Sequence, residues 1–258
     1  MRLLAILGVM VMAVWLASCS KSQFTQPVPV ALVLELDRSY AVNGTLEPER
    51  LTLRPISFIV EGERSAADDI TFTRDLTGTQ WELSSPAAVE MDLPQGVYDY
   101  LRITFNFSGD PGFEDQIADE IDEWWEEVQQ GDDGEEELYD IVDQFEDDAR
   151  PALWLEADFS HPSRGDVDVY LAIPNAWVLE VLATQQGAIS LSAGENVQSS
   201  ITFAVADWFS NVSVAALEQA YYAEEDDDVI LFIHPKVNTT LYTLIIDQLE
   251  NAQNWEVQ

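Results

Sequence analysis

The chain has 258 residues, with 48 Asp and Glu against 11 Lys and Arg, for a formal net charge of −37. A phosphate-binding surface needs clustered Lys and Arg, so nucleic acid is excluded as a partner, and attraction to an anionic lipid surface is opposed. Yet 47% of the residues are hydrophobic and 10% aromatic, including eight Trp, which excludes an acidic disordered tail.

Residues 1–18 carry one positive charge, Arg2, followed by an apolar run that ends in Leu16-Ala17-Ser18-Cys19. This is the n-region and h-region pattern of a secretory signal peptide. The run falls short of the roughly 20 apolar residues that a spanning anchor needs. Cys19 is the single cysteine of the chain. Small residues before a cysteine at this distance resemble the lipobox of bacterial lipoproteins. In that family the peptide is cut before the cysteine, which is diacylated on sulfur and usually acylated on the new amino group. The resemblance implies lipidation at Cys19, a membrane contact through the acyl chains, and residence in the bacterial cell envelope. Two or three acyl chains pass the threshold at which a single chain is only marginally held. Ser20 after the cysteine resembles the outer-membrane sorting choice. Residues 19–29 read as a polar tether stiffened by Pro27 and Pro29.

From Val30 onward the pattern is β. Strands are expected over Ala31–Asp37, Leu51–Val60, Ile70–Arg74, Ala88–Leu93 and Val97–Phe107, most of them alternating with period two. Pro55 suggests an edge or a bulge. Asn43-Gly44, Gly62, Thr77-Gly78 and Pro94-Gln95-Gly96 supply turn chemistry between them.

Residues 111–150 break this pattern. Phe113, Ile117, Ile121, Trp124, Trp125 and Val128 form one helical stripe, and Leu138, Ile141, Val142 and Phe145 form a second. Gly131–Gly134 is the expected turn, Asp110 the N-cap, Pro111 the first helical residue and Pro151 the stop. Strands are expected to resume over Ala152–Phe159, Asp166–Ile173, Ala188–Ser192 and Val197–Val205. Residues 206–258 read as α-rich. They hold a helix over Val214–Ala220 and another over Thr239–Ala252 capped by Asn238, with Val229–Ile233 ambiguous between strand and buried helix.

The stretch Met91-Asp-Leu-Pro-Gln-Gly-Val-Tyr-Asp-Tyr-Leu-Arg-Ile103 is similar to the Leu-Pro-x-Gly-x-Tyr strand junction of bacterial prealbumin-like (transthyretin-like) β-sandwich lipoproteins. That resemblance implies a β-sandwich over residues 30–205, interrupted by the helical hairpin at 111–150, and an envelope location. Independently of family, Pro-x-Gly makes a turn and the following Tyr98 packs at the sheet end.

Catalytic signatures are not found. There is no Gly-x-Ser-x-Gly, P-loop, dinucleotide fingerprint or HExxH. His161 and His234 each precede a proline, which suggests structural positions at loops or strand ends. The acidic hairpin is the unusual constellation: residues 114–148 hold 18 Asp and Glu and no Lys or Arg. Pairs such as Asp115/Asp119, Asp122/Glu126 and Asp143/Asp147 sit at helical contact spacing, each costing about 0.2–0.5 kcal/mol at low salt.

Three things can offset that cost. Concentrated salt screens it, and two lysines against nine arginines amid so many acids resembles proteins of salt-adapted organisms. Bound Ca²⁺ or Mg²⁺ neutralises it, with Asp132, Asp133, Glu135, Asp226, Asp227 and Asp228 as candidate ligands, although neither stretch fits an EF-hand loop. A basic protein partner does the same. The reading is a membrane-anchored envelope lipoprotein, non-enzymatic, with a binding or structural role. The alternatives are a carboxylate-dependent, glycan-active hydrolase and a divalent-cation-binding lipoprotein.

Overall fold

Segments with one apolar and one polar side pair into sheets with one buried face each. The computed structural model describes residues 26–65, 67–130, 135–148, 151–183, 188–225, 228–249 and 253–257. The protein is mainly β. The first half of the chain holds β1 (Pro27–Asp37), β2 (Leu46–Leu53), β3 (Pro55–Arg64), β4 (Ile70–Asp75), β5 (Trp81–Glu82), β6 (Ala87–Pro94) and β7 (Gly96–Phe107). Two helices follow, α1 (Pro111–Gln130) and α2 (Glu135–Asp148). Then come β8 (Leu153–His161), β9 (Gly165–Ile173), β10 (Trp177–Leu182), β11 (Ile189–Leu191) and β12 (Val197–Ala204). The chain closes with α3 (Val205–Trp208), α4 (Val214–Glu218), β13 (Ala223–Glu225), β14 (Asp228–Ile233), α5 (Thr239–Leu249) and β15 (Gln253–Val257).

Three sheets result. The first runs β15-β12-β1-β6, the second β10-β7-β3-β4 with β11 on β7, and the third β13-β14-β9-β8-β2-β5. Their inner faces share one core, to which β1 gives Val28, Val30, Leu32 and Leu34, β7 gives Ile103 and Phe105, and β8 gives Leu153, Leu155 and Phe159. This layering is consistent with a β-sandwich.

Several boundaries differ from the sequence expectation. Residues 27–29, read as tether, belong to β1, where Pro27 pairs with Pro94 and Pro29 with Asp92. Pairing with β12 starts only at Val30, so the prolines sit where that side of β1 is still an edge. The single strand expected over Leu51–Val60 is two. The Arg54 N–H donates to the Ala152 carbonyl at 3.1 Å, and the chain turns there from the third sheet into the second. Pro55 then shifts the register against β7 before Ser57.

The C-terminal segment is also corrected. Residues 206–258, read as α-rich, supply three strands beside their helices. The ambiguous Val229–Ile233 lies in β14, parallel to β9. Its Ile230 and Phe232 enter one apolar cluster and its Leu231 and Ile233 the other. A strand covered on both faces reads as a continuous apolar run, so periodicity cannot tell it from a helix.

Two helices lie within the expected 111–150, and the expected turn Gly131–Gly134 between them lies outside the described residues. Asp110 Oδ1 accepts from the Gly112 N–H at 3.0 Å, capping α1. Ile117, Ile121 and Trp124 of α1 are buried with Leu138, Ile141, Val142 and Phe145 of α2 against Trp154, Ala172, Ile230 and Phe232 of the third sheet. The Phe113 side chain lies outside the described residues.

At the turn before β7, Tyr98 is fully buried and its hydroxyl donates to the Pro94 carbonyl. Burial pushes its phenol up to about 12. Gly62 across the strand pair makes room for it: a Cβ there would stand 2.7 Å from Leu101 Cδ2 and 2.8 Å from Tyr98 Cδ1. Tyr98→Phe is therefore expected to lower unfolding free energy by about 1 kcal/mol. Gly62→Ala is expected to cost about 1–3 kcal/mol through overpacking. Urea denaturation of both variants measures the two effects, and a neutral Gly62→Ala would contradict the close approach.

Candidate functional site: an acidic half-face of the third sheet

The outer face of the third sheet is divided along its strands. Going down β8, Trp154 is followed on the same face by Glu156 and Asp158, and along β9, Tyr170 gives way to Asp168 and Asp166. The aromatic half lies under α1 and α2, whereas Asp158, Asp166 and Asp168 are exposed. Register brings the acids together, because Asp158 stands opposite Asp168 on β9 and opposite Glu47 on β2. The β2–β8 register skips at Glu49, between Pro48 and Arg50, and this bulge brings a further carboxylate beside Asp158.

The electrostatics follow from that placement. The Asp158 carboxylate, with lesser contributions from burial, Glu156 and Asp168, holds the Glu49 carboxyl above the usual range. Asp168, exposed as a residue but with its carboxyl partly desolvated, is raised first by that desolvation, then by Asp158, Asp228 and Asp166. Glu47 accepts a hydrogen bond from the Tyr40 hydroxyl at 2.5 Å, and that bond raises the phenol. Glu156, at the boundary with the aromatic half, is satisfied: it accepts from Trp154 Nε1 at 2.8 Å and pairs with Arg50 at 2.5 Å.

Cations are sparse across the chain, 11 Lys and Arg against 48 Asp and Glu. Lys236 Nζ reaches Asp122 of α1 at 2.5 Å and the Ala118 carbonyl at 2.9 Å, tying the turn before α5 to α1. Arg164 pairs with Glu224 and lies 4.8 Å over the Tyr222 ring. Arg38, Arg64 and Arg74 bind main-chain carbonyls of Ser84, Gln95 and Glu90.

The sequence candidates fall as follows. Cys19, Asp132, Asp133, Asp226 and Asp227 lie outside the described residues. Glu135 opens α2. Asp228 opens β14 and is exposed; its carbonyl accepts from the Tyr139 hydroxyl at 2.8 Å, and its charge joins the acidic half-face through Asp168. Glu49, Asp158 and Asp168 were not singled out by sequence, since only strand register assembles them. Among the described residues, no three or more His, Cys, Asp or Glu side chains converge as a group that could hold a metal ion.

Both histidines close turns. His161 Nδ1 accepts from the Ser163 and Arg164 N–H groups at 3.1 Å each, and His234 Nδ1 accepts from the Lys236 N–H at 3.3 Å. Each ring is packed on aromatics: His161 edge-on to Tyr222 and Phe159, His234 stacked on Phe232 at 5.4 Å. Burial, aided by Lys236, pushes His234 down to about 3. Asn238, read as a helix cap, is diverted. Its side chain accepts from the Tyr221 N–H at 2.8 Å and donates to the Tyr221 and Phe232 carbonyls.

The chain matches no protein-family model, no curated protein and no solved structure. Among the described residues, no helix is long and apolar enough to cross a membrane.

Two outcomes are expected. The unfolded chain takes up the His234 proton from about pH 6.5 downward, while the folded chain holds the ring neutral to about 3. Stability from this group is thus complete above pH 6.5 and falls on acidification by up to about 1.4 kcal/mol per pH unit. Denaturant titrations at pH 7, 5 and 4 should show a shallower loss in His234→Asn. At Asp168 the folded pKa is raised, so its contribution is present at low pH and lost as pH rises through that value. Asp168→Asn is expected to raise Tm at neutral pH in dilute buffer and to lose in molar NaCl the part of that gain that comes from Asp158, Asp228 and Asp166, keeping the part that comes from desolvation. A lowered Tm in dilute buffer would mean that Asp168 is held by attraction.

Proposed function

We propose that the protein is a membrane-anchored envelope lipoprotein, attached through Cys19 and carrying a prealbumin-like sandwich that does non-enzymatic binding or structural work in a concentrated ionic medium. The observation that carries the reading is the acidic half-face. Asp158 lies close enough to raise the proton affinity of both Glu49 and Asp168, on open sheet surface beside two helices of the same sign. In dilute solution such repulsion weakens the fold, and at molar salt the screening length falls to about 3 Å and removes most of it. The Leu93–Tyr98 junction supports the sandwich family, and Leu16–Cys19 supports the anchor. A basic partner or a divalent cation would relieve the same repulsion locally.

Thermal melts distinguish these reliefs. Raising NaCl from low to molar concentration is expected to raise Tm steeply and continuously. A Tm insensitive to NaCl but raised by micromolar Ca²⁺ would replace the screening account with a specific cation site. In a bacterial host, Cys19→Ser is expected to move the chain from the membrane to the soluble fraction and to abolish palmitate incorporation. Unchanged membrane retention would defeat the anchor.

A further inference from the structure

A concavity away from the acidic half-face lies between α1, the end of α4 and the start of α5. It encloses about 470 Å³ and is lined by Trp125, Gln219, Tyr221, Lys236, Asn238 and Thr240 among others. That volume is within the range of about 300–1,000 Å³ typical of small-ligand sites. Trp125 and Tyr221 stand nearly perpendicular in its wall, centroids 5.4 Å apart at 85°, and both contact Trp124 at 5.3 and 5.7 Å. Trp124, 3% exposed, is core, whereas Trp125 keeps part of its indole open. Rings this close leave no space between them for a ligand, so they present outer surface rather than a cage.

The wall is held rigidly. Two of the three hydrogen bonds of the Asn238 side chain hold the main chain of Tyr221 and the third ties it to Phe232, with Asn238 itself at φ 54, a left-handed conformation that Asn adopts more readily than other non-glycine residues. Lys236 is fixed by Asp122 and the Ala118 carbonyl. Pre-organisation of this kind lowers the ordering cost of binding.

Charge narrows the ligand. Among the described lining residues only Lys236 is charged, and Asp122 already pairs with it, so no side chain of the wall offers a counter-charge to a cation, while the −37 field of the chain opposes the approach of an anion. A neutral ligand remains, one with an apolar face for the rings and hydroxyls for the exposed Gln219 and Thr240. We propose that this concavity binds a pyranose unit of a neutral glycan, stacked on Trp125 with its hydroxyls on Gln219 and Thr240. This requires neither the anchor nor the salt dependence proposed above.

The test is calorimetric titration of the full chain, in detergent, with three neutral hexasaccharides: cellohexaose, maltohexaose and the N-acetylglucosamine hexamer. At least one should bind saturably and perturb Trp fluorescence. Trp125→Ala should weaken that binding at least about tenfold. Gln219→Ala and Thr240→Val, both at exposed positions, should each weaken it measurably while leaving the melting temperature unchanged, which covers a Trp125 variant that fails to fold. No heat with any of the three at millimolar concentration, binding indifferent to Gln219→Ala and Thr240→Val, or displacement of the sugar by choline would each overturn the proposal.

Discussion

The fold depends on an aromatic seam strong enough to hold two like-charged helices against a sheet. Phe145 of α2 lies parallel to Trp154 of β8, at 5.4 Å and 3°, and Trp154 in turn stacks on Tyr170 of β9 at 5.3 Å. Phe232 of β14 closes the cluster from the side at 5.5 Å from Phe145. Each aromatic side chain buries a large apolar area, and paired rings add about 0.5–1.5 kcal/mol beyond it. Carboxylate repulsion along the helices is of similar size per pair but falls with salt, whereas the seam does not.

The same logic explains where cations go. With few available, the protein places Arg38, Arg64 and Arg74 on main-chain carbonyls and pairs Arg50 with Glu156, Arg102 with Glu61 and Glu180, and Arg164 with Glu224. Lys236 performs two tasks, bracing α1 and forming part of the wall beside Trp125. His161 and His234 act as turn closures whose rings stay within aromatic surroundings. Each uses Nδ1 to accept main-chain hydrogen bonds, and each Nε2 is buried.

Sequence patterning revealed most strands because period-two alternation is a local property: the expected and observed bounds of β4, β6 and β9 differ by a residue or so. It also revealed both helical stripes and the Asp110 cap, which are equally local. It did not reveal the break at Arg54, since Leu51–Val60 alternates on either side of a corner set by the Ala152 carbonyl. Asn238 stands at the cap position before the helix, but its side chain does not cap it. Its amide serves Tyr221 instead, a partner 17 residues earlier. The acidic half-face was illegible for a different reason. Glu49, Asp158, Asp168 and Asp228 come from four strands, and only register and one bulge make them neighbours.

The position of β1 has a mechanical consequence. It is the first strand of the described chain and an interior strand of its sheet, bonded to β12 from Val30 to Asp37 and to β6 from Pro27 to Leu34. A pull on the chain ahead of Pro27 acts along the strand axis. The two ladders are then loaded lengthwise and must shear together, rather than open one hydrogen bond at a time like a zipper. A domain attached in this way would resist extraction by drag or by a translocating motor pulling from its N-terminal side.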